Sequence, residues 1–502
     1  MADEQSADLA NVWFTHDGAV SPLFERLNVH FPRGFTGVIG PNGCGKTTLL
    51  QLVCGLVKES DGAINIPQKS VYCPQRTDDP PEQLAAFLQD ADREAYALRG
   101  RLGIDAAYLD RWPTLSHGER KRTQIGCALW EAPSLLAIDE PTNHIDADGR
   151  RLLISALHRY RGICVIVSHD RDLLDELCHQ CLMLEPPNYK LFKGGYSQAT
   201  KLHDLAHQQA VEQRGAARQA QARLQREITT RRNAASRANK DRSKKGLSRK
   251  DHDAKEKIDR VRVSGKDGQA GRLLNQMQSR AARADEDLQN ATVSKRYETG
   301  IWMAGSISPR SHLLRLEAGE LPLGQERSMH YPALHMAPTD RIAITGSNGL
   351  GKSTLVTYLL DHANVSADHL VHLPQEITAN QGQQILADTK ILPPADLGQV
   401  MNIVSRLGSR PGRLLESRQP SPGELRKLLL ALGMVRQPHF IVMDEPTNHL
   451  DLLSIEALEN ALVDCPCGLL LVSHDQRFMD RLTTAYWRLE GAADADTWLT
   501  FD

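Results

Sequence analysis

The sequence predicts a duplicated α/β chain, with two domains built on mostly parallel sheets and joined by an antiparallel helical hairpin. Three observations carry that prediction. First, long motifs recur at a nearly constant offset. GPNGCGKTT (Gly40–Thr48) returns 306 residues later as GSNGLGKST (Gly346–Thr354). LLAIDEPTNHID (Leu135–Asp146) and VIVSHD (Val165–Asp170) return 305 residues later as FIVMDEPTNHLD (Phe440–Asp451) and LLVSHD (Leu470–Asp475). A period this long marks a duplicated domain, not a solenoid repeat. Second, short β-branched runs alternate with helical stretches inside each half. Third, apolar residues step by three and four through a strongly basic segment between the halves. The boundaries that follow are 1–200 for the first domain, 201–297 for the hairpin linker and 298–502 for the second domain.

The elements can be taken in order. Val38–Gly40 and Ile342–Gly346 read as strand ends that feed a Gly-rich turn and then a helix. Leu135–Asp139 and Ile441–Asp444 read as buried strands, with Ile163–Ser168 and Leu469–Ser473 as their neighbours. In the linker, Leu202, Leu205, Ala217, Ala220, Leu224 and Ile228 define one amphipathic face, and Leu274, Met277, Ala281, Ala284 and Leu288 a second. Each helix is expected to run for about 25–30 residues, roughly 40 Å at 1.5 Å per residue. Residues 231–260 would form the tip, with 12 Lys and Arg against 5 Asp and Glu.

Composition narrows the class further. The net charge of −2 hides an asymmetry: residues 201–300 hold 24 Lys and Arg against 13 Asp and Glu, leaving 36 against 49 elsewhere. A cationic segment between two acidic domains points to an anionic partner, nucleic acid or an acidic membrane surface. No apolar run reaches the roughly 18 residues needed to span a bilayer, and the polar start MADEQSADLA is no secretory signal. The nine cysteines are scattered, several in strand-like runs such as Cys164 in GICVIV. Neither the CxxC at Cys178 and Cys181 nor the CxC at Cys465 and Cys467 has a matching second pair. Buried thiols in a reduced, cytoplasmic protein are therefore expected over a zinc site.

The repeated motifs spell phosphate chemistry. G-x-x-x-x-G-K-[ST] fits at Gly40–Thr47 and again at Gly346–Ser353. Gly40, Asn42, Gly43, Gly45 and Thr48, with Gly346, Asn348, Gly349, Gly351 and Thr354, complete two loops whose backbone N–H groups can turn toward one anion. Lys46 and Lys352 would reach the β- and γ-phosphates of ATP, and Thr47 and Ser353 would ligate Mg²⁺. Asp139 and Asp444, at the carboxyl ends of buried strands, would hold the same ion. Glu140 and Glu445 are placed to polarise the attacking water. His169 and His474 each follow their glutamate by 29 residues, a repeated spacing that fits a γ-phosphate contact. GTP fits poorly, because the nearest N-K-x-D match, Asn239-Lys240-Asp241-Arg242, misplaces the acid.

With these motifs in place, nearly all of both halves resembles the ATP-binding cassette superfamily. Gln75 in VYCPQ and Gln375 in VHLPQ look like its metal-binding Q-loop glutamine. LSHGERKR (Leu115–Arg122) and PSPGELRK (Pro420–Lys427) look like its signature helix start. Paired DEPTNHxD motifs around a charged linker resemble the ABC-F group of ribosome-associated ATPases. The resemblance implies a head-to-tail sandwich of the two cassettes in one monomer, with two ATP molecules between them. One site would join Lys46, Asp139, Glu140 and His169 to Ser421 and Gly423. The other would join Lys352, Asp444, Glu445 and His474 to Ser116 and Gly118. ATP would close the pair and hydrolysis would release it. The resemblance also implies a ribosome partner near the tRNA exit side, with the linker reaching rRNA and P-site tRNA, in modulation of translation or in protection from antibiotics. The expected contacts are Arg237, Lys240, Arg242, Lys244, Lys245, Arg249 and Lys250, which grip backbone phosphates because the tip is poor in aromatics.

Some positions depart from the family pattern. His117 and Pro422 stand where the signature has its first glycine, and Pro422 lacks the backbone donor, so the site containing Lys46 is expected to hydrolyse more slowly. His16, beside Phe14, falls where an adenine-stacking aromatic is expected, and AGELPLGQE in the second half offers none. The short spacing from each phosphate loop to its signature leaves no room for an inserted helical arm. An alternative reading, the ATPase subunit of an importer with two fused cassettes, gives no reason for a basic hairpin.

Overall fold

The computed structural model describes residues 6–143, 145–241, 276–277, 279–283, 285, 305–324, 327–409, 411–416, 420–491 and 495–501. The first half opens with β1 (Ser6–Phe14) and β2 (Phe24–Pro32), an antiparallel pair that β4 (Asp61–Asn65) extends on the far side of β1. Their period-two pattern puts Ala7, Leu9, Val12 and Phe14 of β1, with Phe24, Leu27, Val29 and Phe31 of β2, in the core.

The main sheet of this half is built from β3 (Gly34–Ile39), β5 (Ser70–Cys73), β6 (Leu135–Asp139), β7 (Ile163–Val167), β8 (Cys178–Glu185) and β9 (Asn188–Lys193). Its order is β5-β6-β7-β3-β8-β9, parallel throughout except for β9. β6 and β7 are buried at every residue. This explains why they read as unbroken apolar runs, since both faces of a central parallel strand are covered.

The second half repeats the plan with β10 (Leu314–Leu316), β11 (Gly319–Gly324), β12 (Arg327–Tyr331), β13 (Leu334–Met336), β14 (Arg341–Thr345), β15 (Leu370–Leu373), β16 (Phe440–Asp444), β17 (Gly468–Val472), β18 (Ala485–Gly491) and β19 (Thr497–Phe501). The order is β11-β12-β19-β18-β14-β17-β16-β15. Its stretch β15-β16-β17-β14-β18 matches β5-β6-β7-β3-β8 strand for strand. The halves differ at one edge. Here β12 pairs in parallel with β19, through Met329 with Thr497 and His330 with Trp498, and merges a hairpin into the main sheet.

The chain up to Ala199 and from Arg296 onward forms one compact unit, and Thr200–Lys295 a second. Within the first unit a single apolar cluster draws on both halves, including Leu177, Tyr196 and Ala199 with Leu458, Phe478 and Met479. Each leucine, phenylalanine or methionine among them contributes about 1.5–3 kcal/mol when fully buried.

The linker departs from expectation in length and in seam. Its first helix spans Tyr196–Asp241, 46 residues instead of some 25–30, so Arg231–Asp241, expected in the tip, is helical. Leu202 and Leu205, expected on the packed face, are exposed, as is Ala220. Ala217, Leu224 and Ile228 are half-buried, and Met277 and Ala281 are buried. Gln221 donates to Asp285 across this seam. Leu274, Ala284 and Leu288 lie outside the described residues, as do Arg242, Lys244, Lys245, Arg249 and Lys250. Arg237 and Lys240 sit on the helix, with side chains outside the description.

Candidate functional site

β3 and β14 each run into a Gly-rich turn whose backbone only glycine adopts easily. Gly43 and Gly45 have φ of 77° and 99°, and Gly349 and Gly351 have 84° and 90°. A Cβ on Gly40 would lie 2.3 Å from the carbonyl oxygen of Leu184. Gly45 and Gly351 cap the helices Lys46–Val53 and Lys352–Asp361. The N–H groups of each first turn, which have no partner inside the helix, therefore lie at the turn with the positive end of the helix dipole. That is an anion site. Lys46 Nζ donates to Gly40 O at 2.7 Å and Pro41 O at 3.3 Å, and Lys352 Nζ to Gly346 O at 2.7 Å and Ser347 O at 3.0 Å. Each ammonium is curled over its own loop.

The next groups come from β6 and β16. Thr47 Oγ1 donates to Asp139 Oδ2 at 2.7 Å, and Ser353 Oγ to Asp444 Oδ2 at 2.7 Å. A hydroxyl and a carboxylate so close, at the mouth of a phosphate loop, are the hard oxygen donors that suit Mg²⁺. Glu140 and Glu445 follow in the left-handed region, with φ of 47° and 48°, a conformation that non-glycine residues enter only under tertiary constraint. Both are 5% exposed, and burial pushes both carboxyls up to about 8. His169 Nε2 lies 3.0 Å from Glu140 Oε1, and the His169 N–H donates to Glu140 Oε2 at 3.2 Å. His474 Nε2 lies 3.4 Å from Glu445 Oε1 and 3.1 Å from Asn348 Oδ1. Burial, with the neighbouring Lys46 or Lys352, holds the imidazoles down to about 3 and about 4, so both are neutral.

The two halves meet over these groups. A cavity of about 780 Å³ is lined by Lys352, Ser353, Thr354, Gln375, Asp444, Glu445 and His474 of the second half and by Ser116, His117, Thr142 and Asn143 of the first. His169, which the resemblance assigned to the site of Lys46, lies within reach of the Lys46 charge and also lines this cavity. Leu323 and Arg327 line it where no aromatic was found, and Arg327 donates to Gly349 O at 3.1 Å. Across the other loop, Asn42 N donates to Asp451 Oδ2 at 3.0 Å and Asn42 Nδ2 to His449 O at 2.9 Å. A Cβ on Gly423 would lie 2.4 Å from that same His449 oxygen. His16 lies beside this loop, its Nε2 3.5 Å from Thr48 Oγ1. Gln75 and Gln375 are exposed on the bends after β5 and β15.

Sequence reasoning found Ser116 and Ser421 but missed Glu119, Glu424, Lys121, Arg426 and Asp451. Ser116 and Ser421 begin the helices His117–Trp130 and Pro422–Val435 through capping boxes closed by Glu119 and Glu424, and the S-x-x-E pattern was there to be read. Lys121 and Arg426, five residues beyond each serine, are buried cations. Lys121 Nζ donates to Pro74 O at 2.6 Å and Asp139 O at 2.8 Å. Arg426 donates to Pro374 O at 2.8 Å and Asp444 O at 2.9 Å. Asp451 caps the helix Leu452–Val463 while it accepts from Asn42.

Comparison with known proteins sharpens this picture. The family model described as "ABC transporter" matches residues 24–143 and 330–448, once in each half. The ribosome protection protein VmlR of Bacillus subtilis (strain 168) is 26% identical over 488 residues, covering 92% of this chain and 83% of that protein. The energy-dependent translational throttle protein EttA of Escherichia coli (strain K12) is 27% identical over 533 residues, covering 90% and 86%. The chain resembles ABC-F proteins over nine-tenths of its length. The ATP-binding protein Uup of Caulobacter vibrioides is a further relative, at 28% identity over 95% of this chain and 76% of that one. Among solved structures, the complex of the archaeal ribosomal stalk protein aP1 with the archaeal ribosome recycling factor aABCE1 shares the fold, with a TM-score of 0.61 and 17% identity over 97% of this chain and 89% of that chain. With the cassette model matched in both halves, the chain is an ATP hydrolase with two cassettes. Among its described residues no helix is long and apolar enough to cross a membrane.

Proposed function

We propose that this ABC-F-like ATPase works in the cytoplasm on the ribosome, binding when ATP closes its two cassettes and leaving after hydrolysis. The observation that carries the closing step is the shared cavity, which Ser116 and His117 of one cassette line together with Lys352, Glu445 and His474 of the other. A nucleotide held by one cassette would be capped by the helix start of its partner, whose N–H groups complete the cage around the terminal phosphate. ADP offers no such phosphate, so the closed state would persist only while ATP is intact. The ribosome enters from the relatives, one named for ribosome protection and one for throttling translation.

In this reading Lys46 and Lys352 turn from their own loop carbonyls to the phosphates. Glu140 and Glu445 orient and deprotonate the attacking water, and a carboxyl held near 8 is a competent base close to working pH. His169 and His474, neutral and beside those carboxyls, present a donor to the γ-phosphate. Mg²⁺ held by Thr47 with Asp139, by Ser353 with Asp444, and by Gln75 and Gln375 would neutralise phosphate charge. The basic linker, with Arg237, Lys240, Arg242, Lys244, Lys245, Arg249 and Lys250, would bind rRNA and P-site tRNA through backbone phosphates. The working species is a monomer with its sandwich formed in cis. The test is Glu140→Gln combined with Glu445→Gln. Removing a general base costs about 10²–10⁴ in rate, so turnover should nearly vanish while the protein co-sediments with ribosomes in ATP and not in ADP. Sedimentation indifferent to nucleotide would sink the proposal.

A further inference from the structure

The helices Arg171–Leu177 and Gln476–Leu482 are duplicates, each following its cassette's histidine after one capping aspartate, Asp170 or Asp475. At the offset of 305, Asp172 corresponds to Arg477, and these equivalent positions face each other across the cassette interface. Arg477 Nε pairs with Asp172. The same guanidinium donates to Asp175 Oδ2 at 2.8 Å and to Ser197 Oγ at 3.1 Å. Ser197 is the second residue of the long linker helix. Its N–H donates to Asp175 Oδ1 at 2.7 Å and its hydroxyl to Asp175 Oδ2 at 2.5 Å. Tyr196, the first residue, is buried and donates to Glu456 Oε1 of the second cassette at 2.5 Å. Both cassettes therefore grip the first turn of this helix. Gly195 allows the approach, since a Cβ there would lie 2.7 Å from Asp175 Cα.

The grip connects directly to the nucleotide groups. His474 lines the cavity beside Lys352, and Arg477 is three residues further along the same loop and helix. Asp475 between them accepts from Arg171 at 3.1 and 3.2 Å, and Arg171 is two residues beyond His169. The loops that carry the two histidines thus touch each other through one buried arginine. The duplicate arrangement is not wired in the same way. Asp480, the counterpart of Asp175, is held inside its own cassette by Gln476 and Tyr486, each at 2.7 Å.

We propose that Arg477 couples closure of the cassettes to the root of the linker helix through Asp175 and Ser197, and that its opposition to Asp172 confines this coupling to the pair formed in cis. Two first cassettes brought together would set Asp172 against Asp172, and two second cassettes Arg477 against Arg477, like charges that repel. Isolated exposed ion pairs count for little. Here one guanidinium meets two carboxylates and a hydroxyl, and one carboxylate also satisfies a helix-start N–H that has no partner in its own helix. Opening the interface would withdraw Arg477 and leave the root with Asp175 alone.

The inference rests on the reading that ATP closes the pair, and its test can fail separately. The full chain carrying Glu140→Gln and Glu445→Gln would be followed by amide hydrogen exchange at residues 196–205, with and without ATP, alongside ATP affinity. ATP should slow exchange at this root by about 10-fold or more, the size expected when local opening is suppressed. Arg477→Ala should remove that slowing and leave ATP affinity intact, Ser197→Ala should act in the same direction, and Arg477→Lys should keep part of it. Arg481→Ala deletes a guanidinium of the same helix that pairs instead with Glu459, and it should retain the slowing. Full slowing in Arg477→Ala, or equal loss in Arg481→Ala, overturns the assignment. ATP bound to the parent with no slowing overturns the coupling and leaves the nucleotide chemistry standing. A parent that binds no ATP sinks the reading beneath it.

Discussion

Glu140 and Glu445 show how much of a site is decided one residue at a time. Both are buried, both take a left-handed backbone, and both have carboxyls raised from 4.5 to about 8 by desolvation. A raised carboxyl binds a proton more tightly in the folded chain, so its stabilising effect is whole below pH 4.5 and is lost as pH climbs through 8. His169 and His474 act in the opposite sense, but only as pH falls below 6.5 toward their folded values. Lys121, lowered to about 8, matters mainly above that value. Between pH 6.5 and 8, the nucleotide-free protein should therefore lose stability, by up to about 1.4 kcal/mol per pH unit for each glutamate. Urea unfolding across that range should show the decline in the parent and a flatter profile in the Glu140→Gln, Glu445→Gln double variant. These glutamates were legible in the sequence because each ends an apolar run beside an aspartate. Lys121 and Arg426 were not, because a cation inside a signature helix looks like a solvated face until the fold puts two carbonyls against it.

Elements contribute through their ends. The caps of the helices Ala147–Leu157 and Leu452–Val463 are Asp146 and Asp451, and Asp451 also holds the Asn42 N–H of the opposite loop. Asp146→Ala should cost a cap, about 1 kcal/mol. Asp451→Ala should cost a similar amount in thermal unfolding and also weaken ATP binding at the loop of Lys46, read by titration with the other site disabled. Pro422 stands at the first position of its helix, where proline is tolerated because that N–H has no helical partner. What the helix forgoes is a donor for the bound phosphate. Glu445→Gln, which leaves only the site of Lys46 active, should therefore turn over more slowly than Glu140→Gln. The linker helix was the element least well read. Its 46 residues exceed the expectation because alanine, arginine and lysine carry the helix on through Arg231–Asp241, a stretch with no glycine or proline to stop it.

For the whole molecule, charge separates acidic cassettes from a basic linker. If the linker binds RNA backbone, ribosome affinity should fall steeply with salt, each phosphate contact adding roughly 0.7–0.9 to the slope of log affinity against log salt concentration. Replacing Lys244 and Lys245 by alanine should lower that slope by about 2 while ATP turnover by the free protein is unchanged, and sedimentation at several salt concentrations would measure it. The sequence by itself determined the duplication and the α/β class and singled out the candidate phosphate, magnesium and water-activating residues, because these depend on local patterns of a few positions repeated twice. Only the tertiary structure decided which residues of one cassette stand over the other, where His169 reaches, and that Arg171, Arg477 and Ser197 form one junction. Those contacts join positions some 280 to 300 residues apart, and their partners are chosen by packing, which no short pattern encodes.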